Sequence, residues 1–201
     1  MASGGADPRP AFVSRRLRAE PVGPRHAAVM AELLADPRIH RFLSSDPPTR
    51  TQLEQQYGYL TTGKSPDGAE HWLTWILLPR NGEQDPVGYV QATIREPETA
   101  TIAYVIGPAH WGQGLAREAT AAMLDTVFGR YDVGCAIAEL DTRNEASIRL
   151  VESLGFWRVD TVFNAASFRG GDQPRARVSP HSGRVEQTPW QGTNLKEMTN
   201  G

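Results

Sequence analysis

Tyr104-Val105-Ile106-Gly107-Pro108-Ala109-His110-Trp111-Gly112-Gln113-Gly114-Leu115-Ala116 reads as the end of a strand, a tight loop and the start of a helix. Tyr104, Val105 and Ile106 close an aromatic and β-branched run over 100–106, and Pro108 cannot continue a ladder. Gly112 and Gly114 can take backbone conformations closed to other residues, and they leave no side chain in a ligand's way. Beyond them Ala116, Ala119, Met123 and Val127 fall on one stripe of a helix over 116–128. The N–H groups opening such a helix lack internal partners and carry partial positive charge, so the loop is a pocket for phosphate or pyrophosphate. Taken alone, a Gly-x-Gly turn is equally a plain strand-to-helix connection. Two nucleotide readings fail: no Gly-Lys-Ser/Thr is present, and the loop follows several strands instead of opening a first βαβ unit.

Upstream, residues 71–78 (HWLTWILL) and 87–94 (VGYVQATI) read as strands separated by the turn signal Asn81-Gly82. With 100–106 they make three consecutive strands on short links, which argues for an antiparallel sheet. A first strand is expected over 12–22, a helix opening at Pro24 and stopping at Pro37, and a second helix over about 49–59 after Pro47-Pro48. Downstream, 135–141 is a strand. Asn144 opens a helix carrying Ile148, Val151 and Leu154, with Gly155 at its C-terminal cap, and 156–163 is a last strand. The order β-α-α-β-β-β-α-β-α-β predicts an α/β (α+β) domain with a mixed, mostly antiparallel sheet and flanking helices.

The 201 residues suit one domain. Residues 1–11 read as a disordered N-terminus, 12–169 as the folded domain, and 170–201, rich in Gly, Pro, Ser, Gln and Asn, as an irregular tail in which Trp190 and Leu195 are the only anchors. A net charge of −2 gives no general attraction for nucleic acid or anionic membranes. Cys135 is the sole cysteine, which leaves no disulfide or multi-cysteine metal site; no metal is expected, and Cys135 reads as a small core residue. No secretory signal or membrane span is legible, so a cytoplasmic protein is expected, monomeric or homodimeric.

A second constellation sharpens the Gly-rich loop: Asp141-Thr142-Arg143-Asn144-Glu145-Ala146-Ser147, ending in Leu154-Gly155-Phe156. Here the chain resembles the GNAT superfamily of acyl-CoA N-acyltransferases, and within it the branch that acetylates ribosomal-protein N-termini. The family's first motif, Arg/Gln-x-x-Gly-x-Gly/Ala, corresponds to Trp111-Gly112-Gln113-Gly114-Leu115-Ala116, followed by Glu118-Ala119. Its second, Asn-x-x-Ser and then Leu-Gly-Phe, corresponds to Asn144, Ser147, Leu154, Gly155 and Phe156. The opening Arg15-Arg16-Leu17-Arg18 is similar to that branch's usual start, and the resemblance covers roughly 12–165.

The resemblance implies a strand over 100–106 that splays from the next one, leaving backbone at Val105 and Ile106 for the pantetheine amides of acetyl-CoA. It implies pyrophosphate on the N–H groups of Gly112, Gln113, Gly114, Leu115 and Ala116, with Asn144 reaching the pantetheine arm from the other side. No acyl-enzyme is expected: an amine attacks the thioester directly. Many relatives protonate the departing thiolate with a tyrosine where this chain has Val151, so the implied donor is Ser147. Asn144 is also a good N-cap, and the two roles can coexist. The acid often found at the start of the preceding strand is replaced by Thr101, which leaves Glu98, His110, His71 and Glu139 as candidate bases. The family also closes its sheet with one more apolar strand. The corresponding stretch here, Arg175-Ala176-Arg177-Val178, is weakly patterned, so either that strand is short or another chain completes the sheet. The implied acceptor is a protein N-terminus, an aminoglycoside or a small amine. A catalytically silent acyl-CoA sensor of the same fold is the alternative, and a nucleotide-phosphate binder is the third reading.

Overall fold

In the computed structural model the described residues are 9–43, 45–95, 99–162, 167–168, 171–172 and 175–180, with side chains as far as 159. The run expected over 71–78 forms β3 (Glu70–Pro79), in which residues 73–78 are buried without alternation. A strand buried on both faces lies between two layers, and β3 does. It pairs antiparallel with β2 (Leu17–Pro21) on one edge and β4 (Gly88–Arg95) on the other, and β4 pairs antiparallel with β5 (Thr99–Ile106).

Successive side chains point to opposite faces of a sheet, which divides the core in two. Leu73, Trp75, Leu77, Val90, Ala92, Ile102 and Ile106 pack on one face with α3 (Leu115–Arg130). Trp72, Ile76, Leu78, Tyr89 and Val105 pack on the other with α1 (Ala27–Leu34) and α2 (Arg50–Leu60). α2 starts where the proline pair predicts, with a reciprocal cap in which Gln52 N–H donates to Thr49 Oγ1 and Thr49 N–H to Gln52 Oε1.

After α3 the chain enters β6 (Cys135–Asp141), which runs parallel to β5, then α4 (Glu145–Ser153) and β7 (Phe156–Val162). Beyond the small hairpin of β8 (Ser167–Phe168) and β9 (Gly171–Asp172) comes β10 (Arg175–Pro180). It inserts between β6 and β7, antiparallel to both, and with β1 (Phe12–Val13) at the far edge the eight-stranded order is β1-β2-β3-β4-β5-β6-β10-β7. The mixed, mostly antiparallel sheet with flanking helices is the architecture expected.

Three expectations need correcting. The strand over 12–22 is two, β1 (Phe12–Val13) and β2, because Ser14 N–H closes a turn onto Leu17 O at 2.8 Å. Residues 9–11, expected to be disordered, are packed: the Arg9 side chain is buried with Nη1 donating to Val22 O at 2.8 Å, and Pro10 O accepts from Trp75 Nε1 at 2.9 Å. The segment 170–201 is not irregular throughout, since β10 lies in the main sheet and fills the closing position from within the same chain. Trp190 and Leu195 lie outside the described residues. Among those residues no helix is long and apolar enough to cross a membrane.

Candidate active site

β5 and β6 part company half-way along. Their parallel ladder covers Thr99–Ile102 against Cys135–Ala138 and stops there. From Ala138 to Asp141, β6 stays paired with β10 on its other edge. Residues 103–106 of β5 therefore keep β4 on one edge and open onto a cleft on the other.

Register decides which backbone groups face that cleft. Gly107 N–H donates to Val87 O, and a Cβ on Gly88 would run into Val105 O, so Val105 turns its polar groups toward β4. By the alternation of an antiparallel ladder, Tyr104 and Ile106 turn theirs toward the cleft. Of the two positions expected to offer backbone there, Ile106 does and Val105 does not; Tyr104 takes its place. The Ile106 carbonyl accepts from the Trp111 indole N–H at 2.6 Å, which leaves its N–H on the cleft side.

The loop at the cleft mouth has the expected form. Gly112 and Gly114 both have φ of +73°, and Gly114 occupies the cap position of α3. Nothing lies within 4 Å of a Cβ placed on Gly112, so its outer side is open. The first helical bond is Glu118 N–H to Gly114 O, leaving the N–H groups of Leu115, Ala116 and Arg117 without a partner among the described residues. A pyrophosphate fits this cradle of positive φ, open space and unpaired donors.

One part of this wall was missed in the sequence. Glu118, in the first turn of α3, accepts from Arg16 N–H at 2.6 Å, Arg16 Nε at 2.7 Å and Ser14 Oγ at 2.7 Å. These partners hold its carboxyl below the usual range against the opposing effect of burial. Arg16 also donates through Nη1 to Gln113 O at 2.9 Å. The β1–β2 turn is thereby bolted to the Gly-rich loop, with a guanidinium beside Gly114. The only signal in the sequence was that Arg16 and Glu118 each belong to a quoted motif; their separation of 102 residues hides the pairing.

The opposite wall is the β6–α4 turn. Asp141 is buried, and its carboxylate accepts from Arg143 N–H, Nε and Nη2 at 2.9, 3.0 and 2.7 Å, which sets the turn. Asn144 caps α4 with Oδ1 accepting from Ser147 N–H at 3.2 Å. Its Nδ2 has no partner among the described residues, so capping and reaching a ligand carbonyl use different atoms. Ser147 is half-buried, and its Oγ is likewise unbonded among those residues. Tyr104 reaches across to this wall, its hydroxyl donating to Ser147 O at 3.2 Å, and burial pushes its phenol up to about 12. Val151 is fully buried and supplies no donor.

Three of the four candidate bases can be placed; Glu98 lies outside the described residues. His71 stacks edge-on against Tyr131 at 5.8 Å, and His110 belongs to the turn Pro108–His110. Glu139 stands on β6 in register with Arg177 of β10. Ala136, Ala138 and Leu140 face α3, so Glu139 faces the α1–α2 side. Thr101 of β5 faces that side too. Among the described residues no three His, Cys, Asp or Glu side chains gather as a metal site would require.

A family model for the Acetyltransferase (GNAT) domain matches residues 16–157, most of the chain and both walls of the cleft. The chain belongs to the GNAT acetyltransferase family. The FsC-acetyl coenzyme A-N(2)-transacetylase of Aspergillus fumigatus is 24% identical over 167 residues, covering 78% of this GNAT chain and 68% of its own. The uncharacterized protein YkkB of Bacillus subtilis is 36% identical, but over 75 residues, 37% of this chain and 44% of that protein. The ribosomal-protein-S5-alanine acetyltransferase structure from Vibrio fischeri superposes with a TM-score of 0.73 at 17% identity, covering 85% of this chain and 95% of its own, which is a likeness of fold.

Proposed function

We propose that this GNAT protein transfers the acetyl group of acetyl-CoA directly to a primary amine, without an acyl-enzyme. The observation that carries the proposal is the β5–β6 cleft opening onto the unpaired N–H groups of α3. Family membership and the named activity of the Aspergillus relative support it.

In this reading the pyrophosphate sits on the N–H groups of residues 112–116. The pantetheine runs inward between Ile106 and Tyr104 on one wall and Asn144 Nδ2 on the other, which directs the thioester toward the apex of the splay. The acceptor enters from the α1–α2 face, where Tyr89, Thr93 and Thr101 line the sheet. Its nitrogen must shed a proton before attack, and Glu139 on that face is the placed carboxylate nearest the splay. The N–C bond forms as the C–S bond breaks, and the leaving thiolate takes a proton. Ser147 Oγ is the donor proposed, since it is unbonded and carried on the first turn of α4.

Val151 and Thr101, apolar or neutral where a proton donor and an acid often stand, favour a second reading: an acyl-CoA sensor that does not turn over. One pair of measurements separates the two. Acetyl-CoA binding is measured calorimetrically, and release of free CoA thiol is followed with a panel of amines. Turnover of at least one amine is expected. Tight binding with no release for any amine would establish the sensor, and no binding of acetyl-CoA would remove both readings.

A further inference from the structure

The linker between α1 and α2 crosses the mouth of the cleft and touches both walls. On the β5 side, the Arg38 guanidinium lies 5.9 Å from the centroid of the Trp111 ring. On the β6 side, the Phe42 ring lies 6.0 Å from the Arg143 guanidinium, next to Asn144. Phe42 also has the Arg41 guanidinium at 5.1 Å. The linker is held in place: His40 sets its ring nitrogens against Leu34 O at 2.7 Å and Ser45 O at 3.0 Å, and Asp36 Oδ2 takes Arg38 Nη2 at 2.6 Å.

One aromatic ring thus gathers two guanidinium groups, and a third stands at the other end of the same strap. Asp36 neutralises Arg38 and Asp141 neutralises Arg143. Arg41 forms no ion pair or hydrogen bond among the described residues. Two cations held near one another repel, and an anion between them converts that repulsion into binding. The protein as a whole carries a net charge of −2, so this local excess of positive charge runs against its overall balance.

We propose that the acceptor is an acidic peptide N-terminus, whose amine enters the splay while a carboxylate a few residues along is held by Arg41, with Arg143 beside it across the Phe42 ring. The inference rests on the acetyl-transfer reading, because that reading puts the amine near the apex of the splay. From Ala138, where the β5–β6 ladder ends, to Asp141 at the rim is three strand steps. At about 3.3 Å per step the rim lies about 10 Å from the apex, which an extended peptide spans in about three residues. A polyamine would bring positive charge to this rim and be repelled.

The test uses two peptides identical except at the fourth position, Ala-Ala-Ala-Glu-Ala-Ala amide and Ala-Ala-Ala-Gln-Ala-Ala amide, with spermidine as the cationic control. Free CoA release should give a kcat/KM about tenfold higher for the Glu peptide than for the Gln peptide, as a charge-assisted contact warrants. Arg41→Ala should erase that ratio through the peptide KM, with the KM for acetyl-CoA unmoved, and the ratio should also shrink at 0.5 M salt. Equal use of both peptides, or a preference for spermidine, overturns the inference and leaves acetyl transfer standing. A rise in the acetyl-CoA KM of Arg41→Ala also overturns it and assigns the cations to the cofactor's phosphates. If no acceptor is turned over, acetyl transfer fails, and calorimetric titration of the two peptides into the CoA-loaded protein decides the inference separately. Tighter binding of the Glu peptide upholds the anion site, and equal binding removes it.

Discussion

The first half of β5, residues 99–102, is hydrogen-bonded on both edges, to β4 and to β6; the second half, residues 103–106, has β4 alone. Both halves are apolar and β-branched, and their composition does not separate them. What separates them is where β6 stops following: its ladder to β5 ends at Ala138, while its other edge stays paired with β10 from Ala138 to Asp141. The cleft is the gap between two strands each held on its outer edge, β5 by β4 and β6 by β10, and the Gly-rich loop only furnishes its mouth.

Unpairing β10 from the outer edge of β6 is the harshest way to break this contrast. Ala176 of β10 is in register with Leu140 on one side and Thr161 on the other, so its N–H serves a ladder whichever way it points. Ala176→Pro removes a ladder hydrogen bond and leaves its acceptor unsatisfied, at a cost of about 1–3 kcal/mol. Thermal denaturation should show a large fall in melting temperature, and acetyl-CoA binding should be lost with it. An unaltered melting temperature would mean that β10 does not hold β6 in place.

A gentler variant acts only on the open half. Gly114→Val has room, since the nearest atom to its Cβ is Arg16 Nη2 at 3.7 Å, but φ of +73° disfavours any L side chain and valine would obstruct backbone approach by a phosphate. The backbone term is about 1–2 kcal/mol. Acetyl-CoA affinity should fall more than tenfold while the protein stays folded by circular dichroism. Unchanged affinity would remove the loop as the pyrophosphate site.

Ser147 and Asn144 share the first turn of α4 but should fail differently. Ser147→Ala should lower kcat by roughly 10²–10⁴-fold and leave acetyl-CoA affinity nearly intact, because the thiolate loses its acid. Asn144→Ala should weaken acetyl-CoA binding and cost about 1 kcal/mol of stability through the cap. Full kcat in Ser147→Ala, where chemistry limits turnover, would pass the role of acid to Tyr104 or solvent, and Tyr104→Phe would tell which.

The smallest effect lies away from the cleft, in the closed part of the fold. His26 is buried, and burial, assisted by the Arg25 charge, lowers its pKa from 6.5 to about 4. Above pH 6.5 the ring is neutral folded or unfolded, and it contributes no pH dependence. Between pH 6.5 and 4 the unfolded chain takes up the proton and the native state does not, so stability should fall as the pH drops through this window. His26→Gln should flatten that part of the stability profile. A slope that persists in the variant would assign it to other groups.

What was legible before the structure was whatever a short stretch of chain decides for itself. The turn at Gly112–Gly114, the Asn144 cap, the capping box at Thr49 and the runs of β3, β4 and β5 all came from side chains and backbone within a few residues of one another. β10 was obscure because Arg175-Ala176-Arg177-Val178 carries little apolar pattern. It is nonetheless a strand, paired on both edges through backbone groups that every such residue possesses, and backbone pairing leaves no mark in side-chain pattern. The choice of Ile106 over Val105 was beyond the sequence for a related reason. A slip of one residue in the β4–β5 register exchanges the two edges of the strand, and that register is set by Gly88 against Ile106 across the sheet.

The sequence by itself determined the kinds of element, their order, the family and the mouth of the site, since those follow from local conformational preference and hydrophobic period. Tertiary structure alone decided where β5 and β6 separate, that Arg16 braces the Gly-rich loop through Glu118, and that Arg41 and Arg143 meet at the Phe42 ring. Those are contacts between residues far apart in the chain, and only the packing of the whole sheet and its helices brings them within reach of one another.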